Sequence, residues 1–266
     1  MGDSSIDAPR ITVERDGHVL RIGLNRPEKR NAADARLLQE LSLAYGELER
    51  DPNLRAGFVF AHGDHFTGGL DLADVGPRIG ADGLDIVPEG GIHPWQVEGV
   101  QLTKPVVIAV QGTCLTLGIE LMLASDIVIA ADSSTFAQIE VARGILPFGG
   151  ATIRFPRAAG WGNAMRWILT GDSFDATEAH RIGLVQEVVP HGEQFARGLE
   201  LAHRVASQAP LAVQAALANA KLAVREGDAA AEAALQPALV RLAGSEDARI
   251  GMEAFVTRAP AEFVGR

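Results

Sequence analysis

The stretch from residue 105 to residue 140 constrains this chain more than any other. It opens on an unbroken apolar run, Pro105-Val-Val-Ile-Ala-Val110, which is rich in β-branched residues and has the length of a strand buried on both faces. Gln111-Gly-Thr-Cys-Leu-Thr116 reads as a turn. Residues 117–125 are mostly good helix formers, and Asp126-Ile-Val-Ile-Ala-Ala131 returns to a buried-strand pattern. The predicted order is strand, turn, helix, strand.

A helix that starts just after a flexible turn leaves its first N–H groups without intrahelical partners and aims the positive end of its dipole into the turn. That makes a donor site for an oxyanion. Glu120 lies three residues after Leu117, close to one helical turn, which puts its carboxylate on the same side as the Leu117 N–H. A second carboxylate, Glu140, follows in Thr135-Phe-Ala-Gln-Ile-Glu140 among apolar neighbours. Two carboxylates and a helix N-terminus suit general acid–base chemistry beside a carbonyl.

Composition narrows the function classes. A chain of 266 residues buries a substantial core, as one large domain or one domain with an appendage. A net charge of −10 argues against a nucleic-acid partner, which calls for a basic face. The single cysteine, Cys114, excludes an intrachain disulfide and a multi-cysteine metal site; it suits a reducing compartment, and a cytoplasmic location is expected. Met1-Gly-Asp-Ser-Ser-Ile6 has neither a basic nor an apolar region, so no secretory signal is expected there. Residues 105–131 are apolar overall, but Gln111, Glu120 and Asp126 interrupt them, so no membrane span is expected.

Before the central stretch, residues 11–15 and 18–24 alternate around Asp16-Gly17 and predict a β-hairpin. Asn25-Arg-Pro-Glu-Lys-Arg-Asn-Ala32 is a charged loop whose three basic groups also allow phosphate contact. Leu37, Leu41, Ala44 and Leu48 recur at helical spacing and predict an amphipathic helix over 33–50. Residues 58–61 form a buried strand, which Gly63 and Thr67-Gly-Gly69 turn into a possible helix start at 70–75. Residues 76–92 read as a loop of lid-like length, and His93-Pro-Trp95 as a helix start.

Beyond Glu140, residues 144–150 form another glycine-bearing turn into a helix. Helical patterns then follow at 162–169, 176–182, 193–207, 211–225, 229–242 and 246–258, interrupted by one short strand at 184–189. The expected class is α/β: a core over 1–200 and an all-helical module over 201–266 whose Ala/Leu-rich faces suit subunit packing. The seven histidines have no metal-ligand spacing beyond the pair His62 and His65, so no metal site is expected.

Taken together, Leu24-Asn-Arg-Pro-Glu-Lys-Arg-Asn-Ala32, Phe66-Thr-Gly-Gly-Leu-Asp71, Lys104-Pro-Val-Val-Ile-Ala-Val-Gln-Gly112, Gly118-Ile-Glu-Leu-Met-Leu-Ala-Ser-Asp126, Phe136-Ala-Gln-Ile-Glu140 and Ala254-Phe255 resemble the crotonase superfamily, the enoyl-CoA hydratases and isomerases. The resemblance runs over almost the whole chain. It implies a ββα-superhelix core, a helical C-terminal trimerisation module, and a homotrimer or a dimer of trimers. It further implies an acyl-CoA thioester whose carbonyl oxygen lies between the backbone N–H groups of Leu70 and Leu117, and no cofactor, since coenzyme A belongs to the substrate. Glu120 and Glu140 match the two glutamates of the hydratase members. Substrate contacts are expected from Ala32, Thr67, Gly68, Gly69, Asp71 and Phe148, with the CoA phosphates met by Arg26, Lys29 and Arg30, joined by Arg258 across a subunit boundary.

The implied reaction is addition of water to a 2-enoyl-CoA: Glu120 deprotonates the water and Glu140 delivers a proton to Cα. Isomerisation by Glu140 alone, and acyl-CoA binding without turnover, are the competing readings. Three departures from the family pattern bear on this. Thr116-Leu117-Gly118 stands where a run of glycines is usual, and a positive φ at Leu117 would store strain. Phe148 occupies the place of a glycine after Pro147, and Leu70 that of a smaller residue; both narrow the site.

Overall fold

Gly17, at φ 59°, closes the first hairpin, in which β1 (Ile11–Asp16) and β2 (Val19–Leu24) pair antiparallel with Asp16 opposite Val19. The structure, a computed structural model, describes residues 8–80 and 83–266. The stretch read for a targeting signal lies outside the described residues. From β2 the large sheet grows by parallel pairing through β3 (Ala56–Ala61), β4 (Val106–Val110), β6 (Ile127–Ala131) and β9 (Glu187–Val189). β3 and β4 are buried at every position, as their unbroken apolar runs require of strands covered on both faces.

A second, three-stranded sheet takes one short strand from each of three successive segments. It consists of β5 (Thr113–Leu115), β7 (Thr135–Ala137) and β8 (Ser173–Asp175), with β5 parallel to β7 and β7 antiparallel to β8. Gly112, at φ 55°, turns the chain from β4 into β5. A Cβ there would lie 2.1 Å from the Asp64 carbonyl oxygen, so only glycine fits the turn. After β5 comes α3 (Leu117–Ala124), and the sequence strand, short strand, helix is one unit of the superhelix. The preceding unit has the same form, since Thr67 bridges Cys114 before α2 (Leu72–Val75).

α1 (Ala35–Arg50) starts where Asp34 accepts the Leu37 N–H at 2.8 Å, and its buried stripe, including Leu37, Leu41, Ala44 and Leu48, packs into the main core. α4 (Ala151–Ala159), α5 (Trp161–Thr170) and α6 (Ala176–Arg181) follow the second sheet. The opposite face of the large sheet is covered by α7 (Gln194–Ala206), where Gly198 allows the helix to approach Phe58. The expected division at residue 200 therefore falls inside a helix that packs on the core sheet. The elements beyond it are α8 (Pro210–Glu226), α9 (Asp228–Ala243) and α10 (Glu246–Thr257).

One local expectation is corrected. No helix begins at His93: Gln96 takes φ 50° and Trp95 is buried in the main core, which breaks the helical run. Residues 76–80 and 83–92 form a loop, with no regular element among these described residues beyond a 3-10 turn at Gly76–Arg78, and Ile86 and Ile92 of this loop are buried in the core. Among the described residues no helix is long and apolar enough to cross a membrane.

Candidate active site

Two helix N-termini converge on one cavity of about 370 Å³ that also receives Glu120 and Glu140. The first belongs to α3. Among the described residues, neither the Leu117 N–H nor the Leu70 N–H donates to a backbone carbonyl, and both residues line the cavity. They are the two donors that the family resemblance implies as an oxyanion hole. Leu117 is held from behind, where the Trp95 indole N–H donates to its carbonyl at 2.9 Å.

The second N-terminus belongs to α4. The Ala151 N–H donates to Glu120 Oε1 at 3.1 Å, and the Gly149 and Gly150 N–H groups also act on this carboxylate. Burial pushes the Glu120 pKa up from its ordinary value, and those N–H groups with the nearby Arg154 guanidinium offset part of that rise. Glu140 stands at the start of a 3-10 turn (Glu140–Arg143) just after β7. Burial, and then the negative charge of Glu120, push its pKa up to about 7, although Gln138 Nε2 donates to Oε1 at 2.9 Å. Its Oε2 is buried with no hydrogen-bond partner. The positive end of α4 favours the anion at Glu120; the apolar setting of Glu140 favours the acid.

Of the residues expected in the site, Gly68, Leu70, Leu117, Glu120, Glu140 and Phe148 line the cavity together. Phe148 is half exposed at 48%, so its ring stands at the rim. The glycine that meets the carboxylate is Gly149: a Cβ there would lie 2.6 Å from Glu120 Oε2. Thr67, Gly69, Ala32 and Asp71 do not line the cavity but shape its edge. The Thr67 hydroxyl donates to the Asn31 carbonyl at 2.8 Å and accepts the Gly69 N–H at 3.1 Å, while the Ala32 carbonyl and Asp71 carboxylate both accept from Arg26 at 2.8 Å.

Arg26 is engaged within the chain. It is paired with Asp71 and Asp34 and faces inward, and only Lys29 and Arg30 of that loop are exposed cations. The Gly68 N–H donates to the Arg30 carbonyl at 2.7 Å, which seats this pair at the cavity edge. Arg258 is exposed at the end of α10, in the left-handed conformation at φ 54°. His62 and His65 sit in the turn after β3, with His62 Nε2 2.8 Å from the Thr12 hydroxyl and His65 Nδ1 accepting the Thr113 N–H. Cys114 is fully buried, and burial drives its thiol pKa up. No group of three or more potential metal ligands occurs among the described residues.

The strain expected at Leu117 falls one residue earlier. Thr116 takes φ 48° and ψ −110°, a conformation that suits glycine and is costly for a β-branched side chain, by about 1–3 kcal/mol. Its hydroxyl is buried without a hydrogen-bond partner, so its removal leaves no protein group unpaired. Thr116→Gly is therefore expected to stabilise the fold by about 1 kcal/mol, after subtracting the extra entropy that glycine gives the unfolded chain. Urea unfolding measures it, and an unchanged or lower midpoint would contradict the strain assigned to Thr116.

A profile of the enoyl-CoA hydratase/isomerase family matches residues 14–266. The chain belongs to this family, and it is a crotonase-family enzyme in fold and in class. It is similar to the enoyl-CoA hydratase EchA19 of Mycobacterium tuberculosis, at 30% identity over 97% of both chains. The 2,3-dehydroadipyl-CoA hydratase of Escherichia coli is 32% identical over 96% of this chain and 99% of its own length. Among solved structures, a probable enoyl-CoA hydratase/isomerase from Mycobacterium abscessus superposes with a TM-score of 0.94 and 61% identity, covering 97% of this chain and 99% of that one.

Proposed function

We propose that this enzyme hydrates a 2-enoyl-CoA thioester. The observation that carries the reading is the pair of carboxylates, Glu120 and Glu140, set in different electrostatic surroundings on one cavity beside two unpaired N–H donors. Bound with its thioester oxygen between the Leu70 and Leu117 N–H groups, the substrate gains enolate character as water adds at Cβ, and the donors stabilise that charge. Glu120, held on the N-terminus of α4, takes the proton from water. Glu140 gives its proton to Cα, and exchange with solvent then resets both groups. The chemistry calls for no cofactor beyond the CoA carried by the substrate. Hydration of crotonyl-CoA, run beside an acyl-CoA binding assay, tests the reading. Turnover supports it, whereas binding without turnover on enoyl-CoAs of any chain length would replace it with a binding function.

The CoA phosphates are assigned to Lys29 and Arg30, the exposed cations beside Gly68, with Arg258 reaching them from a neighbouring subunit. Replacing Lys29 and Arg30 together by alanine is expected to raise KM for crotonyl-CoA about tenfold with kcat nearly unchanged, since two exposed charge contacts of roughly 0.5–1 kcal/mol each are lost equally from ground and transition states. An unchanged KM would move the phosphates elsewhere.

The helical module, best bounded at the start of α8, leaves Leu239, Val240, Met252, Phe255 and Val256 between 59% and 83% exposed in the single chain. Apolar side chains exposed to that degree on neighbouring helices call for cover, and we assign it to further copies of the chain in a trimer or a dimer of trimers. Analytical ultracentrifugation at micromolar concentration should give one of those masses. A stable monomer would contradict the assignment.

A further inference from the structure

One half-buried cation at the site takes no part in the reaction derived above. Arg154 stands on α4, three residues after Ala151, whose N–H holds Glu120. Its guanidinium spans two segments of chain: Nη1 donates to the Gly149 carbonyl at 3.2 Å and Nη2 to the Gln96 carbonyl at 3.1 Å. Gly149 belongs to the turn whose N–H groups face Glu120. Gln96 directly follows Trp95, which walls the cavity and anchors Leu117, so the second bond leads to the oxyanion side. A Cβ at Gly150 would lie 2.6 Å from Nη1, so a glycine at this position leaves the fork its room.

The partners of this fork are carbonyls, which leave the guanidinium charge unneutralised and able to act on Glu120. We propose that Arg154 is a positioning residue of the site: it ties the Gly149 turn to the Gln96 segment, holds the N-terminus of α4 on Glu120, and so keeps Glu120 the ionised member of the carboxylate pair. The inference rests on the assignment of Glu120 as the base. Other charged or titratable groups face this region. Glu140, His93, Glu98 and Arg143 line the cavity with Glu120, and Arg157, Arg225 and Lys221 are near Arg154, with Arg225 itself donating to Gln101 at 2.6 Å. Arg154 alone of these donates both to the turn that faces Glu120 and to the segment that carries Trp95.

Side-chain ¹³C NMR titration of glutamate-labelled enzyme, with the Glu120 resonance assigned from Glu120→Gln, reads the ionisation without requiring turnover. In Arg154→Gln the Glu120 carboxyl is expected to titrate about one pH unit higher than in wild type, a tenfold change in its proton affinity. The acidic limb of kcat/KM for crotonyl-CoA should move up with it. Arg154→Lys keeps a cation but cannot hold both carbonyls as a planar fork. It should show a smaller shift in the same direction, and it carries the test if the glutamine variant does not fold. A Glu120 titration unchanged in the folded variants overturns the proposal. A shifted Glu120 in a protein that hydrates no enoyl-CoA would leave the Arg154 clamp standing and remove the hydratase reading instead.

Discussion

Glu120→Gln and Glu140→Gln are each expected to lower kcat for 2-enoyl-CoA hydration by about 100- to 10,000-fold while leaving acyl-CoA affinity within a few fold, because each removes a proton transfer and keeps a group of the same shape. Glu120 is buried at 2% exposure against the α4 N-terminus, and glutamine there can still accept the Ala151 N–H but cannot take a proton from water. Glu140 Oε2 has no hydrogen-bond partner, so an amide nitrogen in its place breaks no bond and the variant loses the transferable proton. Steady-state kinetics beside calorimetric binding checks both changes. If the enzyme were an isomerase working through Glu140 alone, the Glu120 change would be mild and the Glu140 change severe.

The position of the Glu140 pKa adds a pH dependence with a definite sign. Delivering a proton requires the acid form, so activity is expected to fall as pH rises through about 7. Stability follows the same group. The folded-state pKa lies above the ordinary value of 4.5, so the contribution of Glu140 is fully present below that value and is lost as pH rises through about 7. Glu140→Gln, which carries no charge to desolvate, should therefore match wild type near pH 4. It should exceed wild type at pH 8 by on the order of 2 kcal/mol, a figure discounted for solvent in the open cleft.

Gly149→Ala is the second large effect. The added methyl would stand 2.6 Å from Glu120 Oε2, 2.9 Å from its Cδ and 3.0 Å from Trp95 Cδ1, so the carboxylate must leave its seat. Gly149 does not occupy the left-handed region, so alanine meets no backbone penalty and the fold is retained. Displacing a reacting group by about 1 Å costs roughly 100-fold in rate. A loss of that order in kcat, with unfolding behaviour near wild type, is the expected outcome. Wild-type turnover in Gly149→Ala would mean that Glu120 does not act from this seat.

The elements legible in the sequence are those whose residues answer to their own neighbours. β4, α3 and β6 each carry a local apolar pattern that changes from strand to helix and back, and the six last helices fall within one or two residues of their periodic runs. β5, β7 and β8 span three residues each, too short for alternation to register, and they exist because three turns of the superhelix bring them together. For the same reason Gln138 gives no sign of its bond to Glu140, since that bond depends on where β7 delivers the chain. Trp95 reads as the start of a helix until its ring is seen closing the cavity, and Arg154 as an ordinary helix cation until its two carbonyl partners are known. Arg26 reads as one more cation of a basic loop, and its pairing with Asp34 and Asp71, 8 and 45 positions along the chain, is not legible there.

Addition of water across a conjugated thioester by two carboxylates leaves a label pattern that mass spectrometry of the product reads. After incubation of crotonyl-CoA with the enzyme in H₂¹⁸O and, separately, in D₂O, the 3-hydroxyacyl-CoA product should carry one ¹⁸O at C3 in the first case. In the second it should carry one deuterium on carbon at C2, with Glu120→Gln and Glu140→Gln each forming the product far more slowly. Recovery of crotonyl-CoA with no 3-hydroxyacyl-CoA formed by the wild-type enzyme, or a product isomerised without solvent oxygen, would contradict it.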